Sequence, residues 1–572
     1  MMKFSSRKAQ YRQGALGSMF ALVLVAPVGA QAQEAGRYDD LALLDDGPVL
    51  VVTGSRSGEG MRIDQIGGSV TVLDAATVEQ RETRLVADLL RDVPGIAVSR
   101  AVSGLTQVRI RGSEGNQVMV LVDGMKANDP YQGEFDFNTL IAEEASRIEV
   151  LRGQQSSLYG SDAIGGVINY TTLSGREAPG YRARAEAGSF GTYNGALRVA
   201  GASDTFDYAL SGAVYHTAGF PSAPGGRRNI GTDNLSASAK VNWIPTDNFR
   251  VTGVARYGSS VGDTNDQAIT ADSPFVRGRQ VITLVDTPGS FYESKAWNGL
   301  LKAELDSFDG MMTTALSGQI SDNRRDSYVF ADYAYGNDGT RYIGSLVNTL
   351  RFGSDRVKHS LTMAVDLERE DYRNTSPTAP DQSVKQLDRV GFVGQYNLVL
   401  DDRLSLGGSV RHDDNDYFKN ATTWRAEASY LLPTGTRLRG AAGSGIKNPT
   451  SSELFGYYDG LYIGNPDLQP EESRGWEVGA DQSFADGALK IGATYFNNRL
   501  TNEIYTDYPA PDYVATTLNR DTVTRQQGVE VFAQARLGDF SVDANYTWLD
   551  APQFRTVLLV PEDLSSFATG PV

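Results

Sequence analysis

From about residue 176 onward the chain alternates, and this constrains the fold more than any other feature. Tyr181, Ala183, Ala185 and Ala187 interleave with Arg182, Arg184 and Glu186. Phe249, Val251, Gly253, Ala255 and Tyr257 interleave mostly with polar residues. Leu404, Leu406, Gly408 and Val410 interleave with Arg403, Ser405, Gly407, Ser409 and Arg411. Successive strand side chains point to opposite faces, so a period of two puts apolar groups on one side and polar groups on the other. Each run is about the ~9–11 residues that a tilted strand needs to cross a bilayer. Turn clusters such as Pro245-Thr246-Asp247-Asn248 and Leu432-Pro433-Thr434-Gly435 separate the runs. All five Trp (243, 297, 424, 476, 548) fall in this part, as aromatic girdles at two membrane interfaces require. No stretch reaches the ~18 apolar residues of a spanning helix. Alternating strands are compatible with the polar mean hydropathy of -0.31. The predicted fold for residues 176–550 is a transmembrane β-barrel, with a soluble β-sandwich array as the alternative. Glycine, at 61 of 572 residues, and an export signal favour the barrel.

The export signal is at the N-terminus. Lys3, Arg7, Lys8 and Arg12 precede a short apolar run from Ala15 to Val28, and Ala30-Gln31-Ala32 offers a cleavage site. Residues 1–32 are therefore read as a secretory signal peptide. Its removal takes the formal charge from -17 to -21. This acidity excludes a nucleic-acid partner, and the absence of cysteine excludes thiolate chemistry and disulfides. Residues 33–68 form a flexible lead. Within it, Val49, Leu50, Val51, Val52 and Thr53 make a short extended strip, suited either to strand addition by a partner or to pairing inside its own domain.

Residues 69–172 read as a small α+β domain. A strand over Ser69 to Leu73 leads to a helix capped by Asp74 and ending at Gln80. Thr83 is the expected cap of a second helix, which Val93-Pro94-Gly95 stops. Strands follow at Thr106 to Ile110, Gln117 to Val122 and Arg147 to Leu151, with a turn at Asp123-Gly124. His216, His359 and His412 lack a marked Ser partner, so no catalytic triad is expected and the chain is read as a non-enzyme. The run His412 to Asp416 is expected to be a solvated acidic loop.

Several motifs carry a resemblance. Residues 88–96 read DLLRDVPGI, 108–112 VRIRG, 120–124 VLVDG, 148–153 IEVLRG and 157–169 SLYGSDAIGGVIN. Further on are GIKNPT at 445–450, GNPDLQPE at 464–471 and GVEV at 528–531. Together, from about residue 49 to 550, the chain resembles the TonB-dependent outer-membrane receptors, closest to their vitamin B12 branch. The resemblance implies a plug domain inside the barrel, a Gram-negative outer-membrane location among outer-membrane lipid, and uptake driven by TonB with its inner-membrane energising complex. Residues 49–53 then correspond to the TonB box. The implied solute is cobalamin, or alternatively a ferric siderophore. A non-transporting surface receptor is the reading from another class. Arg111, Arg152, Glu477 and Glu530 are implied as a plug–wall ion-pair cluster, against the plainer reading of four solvated lumen charges. No cofactor is required. Asp233, Asp263 and Asp266 are implied as possible calcium ligands.

One stretch departs from the family. After Asp550 only a short segment follows, and Phe554 to Val560 lacks barrel alternation. At about 20 residues per strand and connection, residues 176–550 make about 18 strands, against 22 in the family. The expectation is a truncated or frameshifted receptor with a non-family tail at 551–572. Closure with fewer strands is the alternative.

Overall fold

A computed structural model describes residues 50–551, apart from 102, 143–144, 269–274, 277–278, 281–282 and 539. The signal peptide, the lead up to Val49 and residues 552–572 lie outside the described residues.

Alternation becomes a wall with its polar face inward. In Val357–Asn374, Thr362, Ala364, Asp366 and Glu368 are buried, while Met363, Val365 and Leu367 are exposed. This inverts a soluble sheet and suits a barrel with lipid outside and a filled lumen. Seventeen strands pair in chain order, from Gly180–Gly188 to Phe540–Asp550, each antiparallel to the next. This is one fewer than the sequence estimate. The longest, Asp332–Gly353, has 22 residues and extends well beyond the bilayer. Connections such as 247–248, 354–356 and 401–403 are short at one end of the wall, whereas 264–290, 448–470 and 502–523 are long at the other. Short turns face the periplasm and long loops the exterior in such barrels.

The lumen holds the N-terminal domain. Its five-stranded sheet runs in the order Val70–Asp74, Ala145–Arg152, Gly166–Thr172, Val118–Val122, Met125–Lys126. Val118–Val122 is buried on both faces, as its continuous apolar run requires. Asp74 caps the helix Ala75–Gln80 by accepting from Thr77 N at 2.7 Å. The second helix, Val86–Leu90, begins at Leu85 without a side-chain cap; the Thr83 hydroxyl donates instead to Arg81 O. The apolar face of Val86, Leu89 and Leu90 still packs into the main core, so burial rather than capping fixes this helix. Asp123 and Gly124 both take positive φ, as the tight hairpin into Met125 demands.

Among the described residues no ladder joins the first wall strand to the last. The plug touches both. Glu79 and Arg84 pair with Arg182 and Glu186 on the first strand. Gly95 N donates to Thr547 on the last strand at 2.9 Å, and Asn545 Nδ2 donates to Asp92 O at 3.0 Å. The expected loop at 412–416 is instead mostly strand, because Leu404–Asn415 carries the alternation to its end. Asp413 points inward to Arg411 at 2.8 Å, and His412 is exposed.

Candidate functional site

The plug meets the wall through buried charge. Arg111 follows the strand Thr106–Ile110 at positive φ, which aims its side chain at the wall. Its Nε lies 2.8 Å from Glu530 Oε1 and its Nη1 lies 2.7 Å from Glu477 Oε2. Arg152 Nε is 3.6 Å from the other Glu530 oxygen. The structure thus gathers the four expected residues, all with side chains no more than 7% exposed. Burial alone would lower the Arg111 pKa, but Glu530 and Glu477 outweigh it and hold the guanidinium protonated above its ordinary range. Ser69 completes the cluster: its N–H and hydroxyl both donate to Glu477, at 2.7 and 2.9 Å. Gly95 is required here, since a Cβ would lie 2.2 Å from Glu530 Oε1 and φ is +77°. Sequence reasoning missed Ser69, because a lone serine carries no signal.

The strip at 50–53 is docked, not free. Leu50–Val51 pairs with Met61–Arg62, and Val51 is fully buried with Ile66 and Leu151. Val49 lies outside the described residues. Glu149 accepts from Val52 N at 3.0 Å, from Thr53 N at 2.8 Å and from the Thr53 hydroxyl. The wall holds the next residues: Gln395 accepts from Arg56 N at 3.0 Å and donates to Gly54 O at 3.2 Å, and Arg56 reaches Asp366. Glu149, Gln395 and Asp366 were not legible in sequence as partners, since each is more than 90 residues away along the chain.

Above the plug, on the long-loop side, lies an open vestibule of about 1160 Å³. That exceeds the ~300–1,000 Å³ of ordinary small-molecule pockets. Tyr131, Tyr335, Tyr457, Tyr458, Tyr462 and Tyr505 line it. Glu114 and Glu134 stand on its floor beside Arg109. Of the other lining charges, Glu453 is taken by Lys447 at 3.1 Å and Glu503 by Arg520 at 3.2 Å. The floor therefore carries a surplus of carboxylate. Burial pushes the Glu134 carboxyl up to about 7; the Gln107 amide opposes the shift and Glu114 adds to it. Glu114 is raised as well, chiefly by burial.

A pH dependence follows. The ordinary glutamate value here is 4.5, so between about 4.5 and 7 the folded plug holds a proton at Glu134 that the unfolded chain has lost. Stability therefore falls as pH rises through this window, by up to about 1.4 kcal/mol per pH unit, and levels off above it. Amide exchange of residues 129–134, corrected for intrinsic rates, will show stronger protection near the bottom of that window than above it. Glu134→Gln will shrink the difference to the part left by Asp129, whose carboxyl burial raises to about 6; an unchanged pH profile in that variant would refute the assignment.

The three aspartates are not gathered into one site. Asp233 faces His216 Nδ1 at 2.5 Å, Asp263 pairs with Arg228 at 3.1 Å, and Asp266 is exposed in the following loop. Among the described residues no group of three or more His, Cys, Asp or Glu is placed to hold a metal ion. Calcium needs six to eight oxygens, and two of these carboxylates are already turned to cationic or ionisable partners. Among the described residues, Asp233, Asp263 and Asp266 do not together make a site for the ion.

The plug and barrel match family descriptions in the same order as they fold. The barrel description, TonB dependent receptor-like, beta-barrel, matches residues 178–568, about two thirds of the chain. This chain belongs to the TonB-dependent receptors. The match reaches into the 551–572 segment read above as departing from the pattern. The plug domain of these receptors matches residues 62–167. The receptor is 27% identical over 521 residues to the vitamin B12 transporter BtuB of Photobacterium profundum, covering 88% of this chain and 78% of that one. It is 26% identical over 479 residues to BtuB of Vibrio vulnificus, covering 80% and 70%. In fold it is similar to the ferric enterobactin receptor PfeA of Pseudomonas aeruginosa (TM-score 0.71, 17% identity, 88% and 82% covered). It is also similar to the siderophore receptor PirA of Acinetobacter baumannii (TM-score 0.69, 19% identity, 86% and 81% covered). A receptor of this family is an outer-membrane transport protein.

Proposed function

We propose that this receptor imports a corrinoid of the cobalamin class, with TonB and its inner-membrane complex pulling on residues 49–53. The observation that carries the solute class is the vestibule floor. Glu114 and Glu134 stand on the floor that meets a solute; of the two lining cations, Arg109 stands beside them and Arg520 is paired with Glu503. Above about pH 7, where Glu134 is ionised, like charge disfavours a polyanionic ferric catecholate there. A corrinoid, with amide donors around a large apolar ring, suits carboxylate acceptors and tyrosine walls. The curated B12 transporters found among its relatives support the same reading. The handle is supported by its position: an extended segment at the plug's start, held by a few bonds, is where force can enter.

The test is binding by folded receptor of labelled cyanocobalamin against a panel of ferric siderophores. Cyanocobalamin will bind tightly, and removal of calcium will leave its affinity unchanged. Glu114→Gln with Glu134→Gln will weaken it about tenfold. Tight binding of a ferric catecholate, with none of cyanocobalamin, would overturn the solute class and leave the transport mechanism standing.

A further inference from the structure

The outer surface of the wall carries one arrangement that neither transport nor plug docking uses. Arg474, Arg499 and Arg525 lie on three adjacent strands, Glu471–Phe484, Leu489–Thr501 and Thr524–Leu537. Their registers coincide: Arg474 is directly opposite Arg499, and Arg499 is directly opposite Arg525. Directly opposed positions bring Cβ atoms to about 4.5–5.5 Å. All three residues are exposed. They share the lipid-facing side with Trp476, Val478, Ile491 and Val531, which are 37–51% exposed.

Opposed like charges destabilise a strand pair. Here two such oppositions sit side by side, and nothing among the described residues relieves them. Among the described residues, no carboxylate lies within ion-pair distance of any of the three. Two acids share their face. Glu472 is two residues before Arg474 and exposed. Asp550 accepts from Gln527 at 3.0 Å. Neither pairs with the row.

The position of the row says what covers it. Each arginine lies within four residues of the long-loop end of its strand. Trp476 is two residues further into the wall on the same face, roughly 7 Å along the strand. A tryptophan on the lipid face marks the edge of the hydrocarbon region. The guanidiniums therefore stand one step outside that edge, at the depth of lipid headgroups in the outer leaflet. Arginine is the side chain best suited to phosphate, because its fork donates two parallel hydrogen bonds.

We propose that Arg474, Arg499 and Arg525 form a binding row for the phosphate groups of a phosphorylated outer-leaflet lipid. One multiply charged headgroup spans the row, replaces mutual repulsion with charge-assisted hydrogen bonds, and fixes the lipid against Trp476.

The test uses the full chain, folded in neutral detergent, and native mass spectrometry of retained lipid. The probes are a bisphosphorylated glucosamine-disaccharide lipid, its dephosphorylated counterpart, and inorganic phosphate as competitor. The wild-type chain will retain the bisphosphorylated lipid at least tenfold better than the dephosphorylated one. The triple variant R474Q/R499Q/R525Q will lose that preference, and R474K/R499K/R525K will keep part of it. Equal retention by the glutamine variant would overturn the proposal. Displacement of the lipid by inorganic phosphate as readily as by free lipid would also overturn it, by showing a site for the ion alone. Thermal midpoints guard against a folding artefact. Without lipid the glutamine variant will melt higher than wild type, because repulsion is gone; with lipid the order will reverse. A glutamine variant less stable in both conditions would mean that the arginines are structural, and the proposal would fail.

Discussion

Replacing Arg111 with methionine will loosen the plug from the wall by about 3–5 kcal/mol, the usual cost of leaving buried charge without its partner. The guanidinium satisfies Glu530 through two nitrogens and Glu477 through a third. Methionine fills much of the same volume and keeps contact with the Phe496 ring, over which the guanidinium now lies at 4.3 Å. The loss is then electrostatic, and two carboxylates remain with side chains at most 5% exposed. Arg152 does not replace it, since its Nε is 3.6 Å from Glu530 and its Nη1 is engaged with Pro94 O. Hydrogen exchange across Thr106–Ile110 and Ala145–Arg152 will report the loosening. Adding Glu530→Gln and Glu477→Gln will recover much of it, because removing all the charges costs less than stranding some of them. If the single variant exchanges like wild type, the cluster is merely solvated.

Glu149→Ala will release the strip at 50–53 without any solute. The side chain is fully buried and receives three hydrogen bonds from Val52 and Thr53. Without it, two backbone N–H groups are left unsatisfied if the strip stays docked, at about 1–3 kcal/mol each. Opposing release are the burial of Val51, worth about 1.5–3 kcal/mol, its ladder with Met61–Arg62 and the Tyr159 hydroxyl on Thr53 O. The two stranded donors, about 2–6 kcal/mol together, shift the balance towards the undocked state. A spin label at Leu50, which is already 45% exposed, will change from restricted to mobile. Asp366→Asn will act in the same direction and more weakly, since it removes one charge from Arg56 while Gln395 still holds the backbone at Gly54 and Arg56. A label that stays restricted in Glu149→Ala would show that Val51 and its strand pairing hold the strip alone.

The calcium expectation shows where sequence reasoning runs out. Asp233, Asp263 and Asp266 are near one another in the chain, but two flank a strand pairing and the third lies beyond it. Which carboxylates meet depends on what else occupies the rim, and His216 and Arg228 reach two of them first. The acidic run at 412–416 failed for a related reason. Charged residues look like loop, yet inside a filled lumen an inward Asp413 beside Arg411 is an ordinary wall position.

What the sequence determined by itself was everything written in local periodicity: the barrel grammar, the α+β plug, the turn at Asp123-Gly124 and the Asp74 cap. These follow from side-chain direction and backbone preference, which act over a few residues. The family motifs added the four charges of the plug–wall cluster. Only the tertiary structure decided that Ser69 completes that cluster, that Glu149 and Gln395 hold the strip, and that three arginines form a single row. Those facts depend on register and on the docking of one domain inside another. Strand pairing puts Arg474 opposite Arg499 only once 24 intervening residues have turned back on themselves, and no local preference in the chain encodes that meeting.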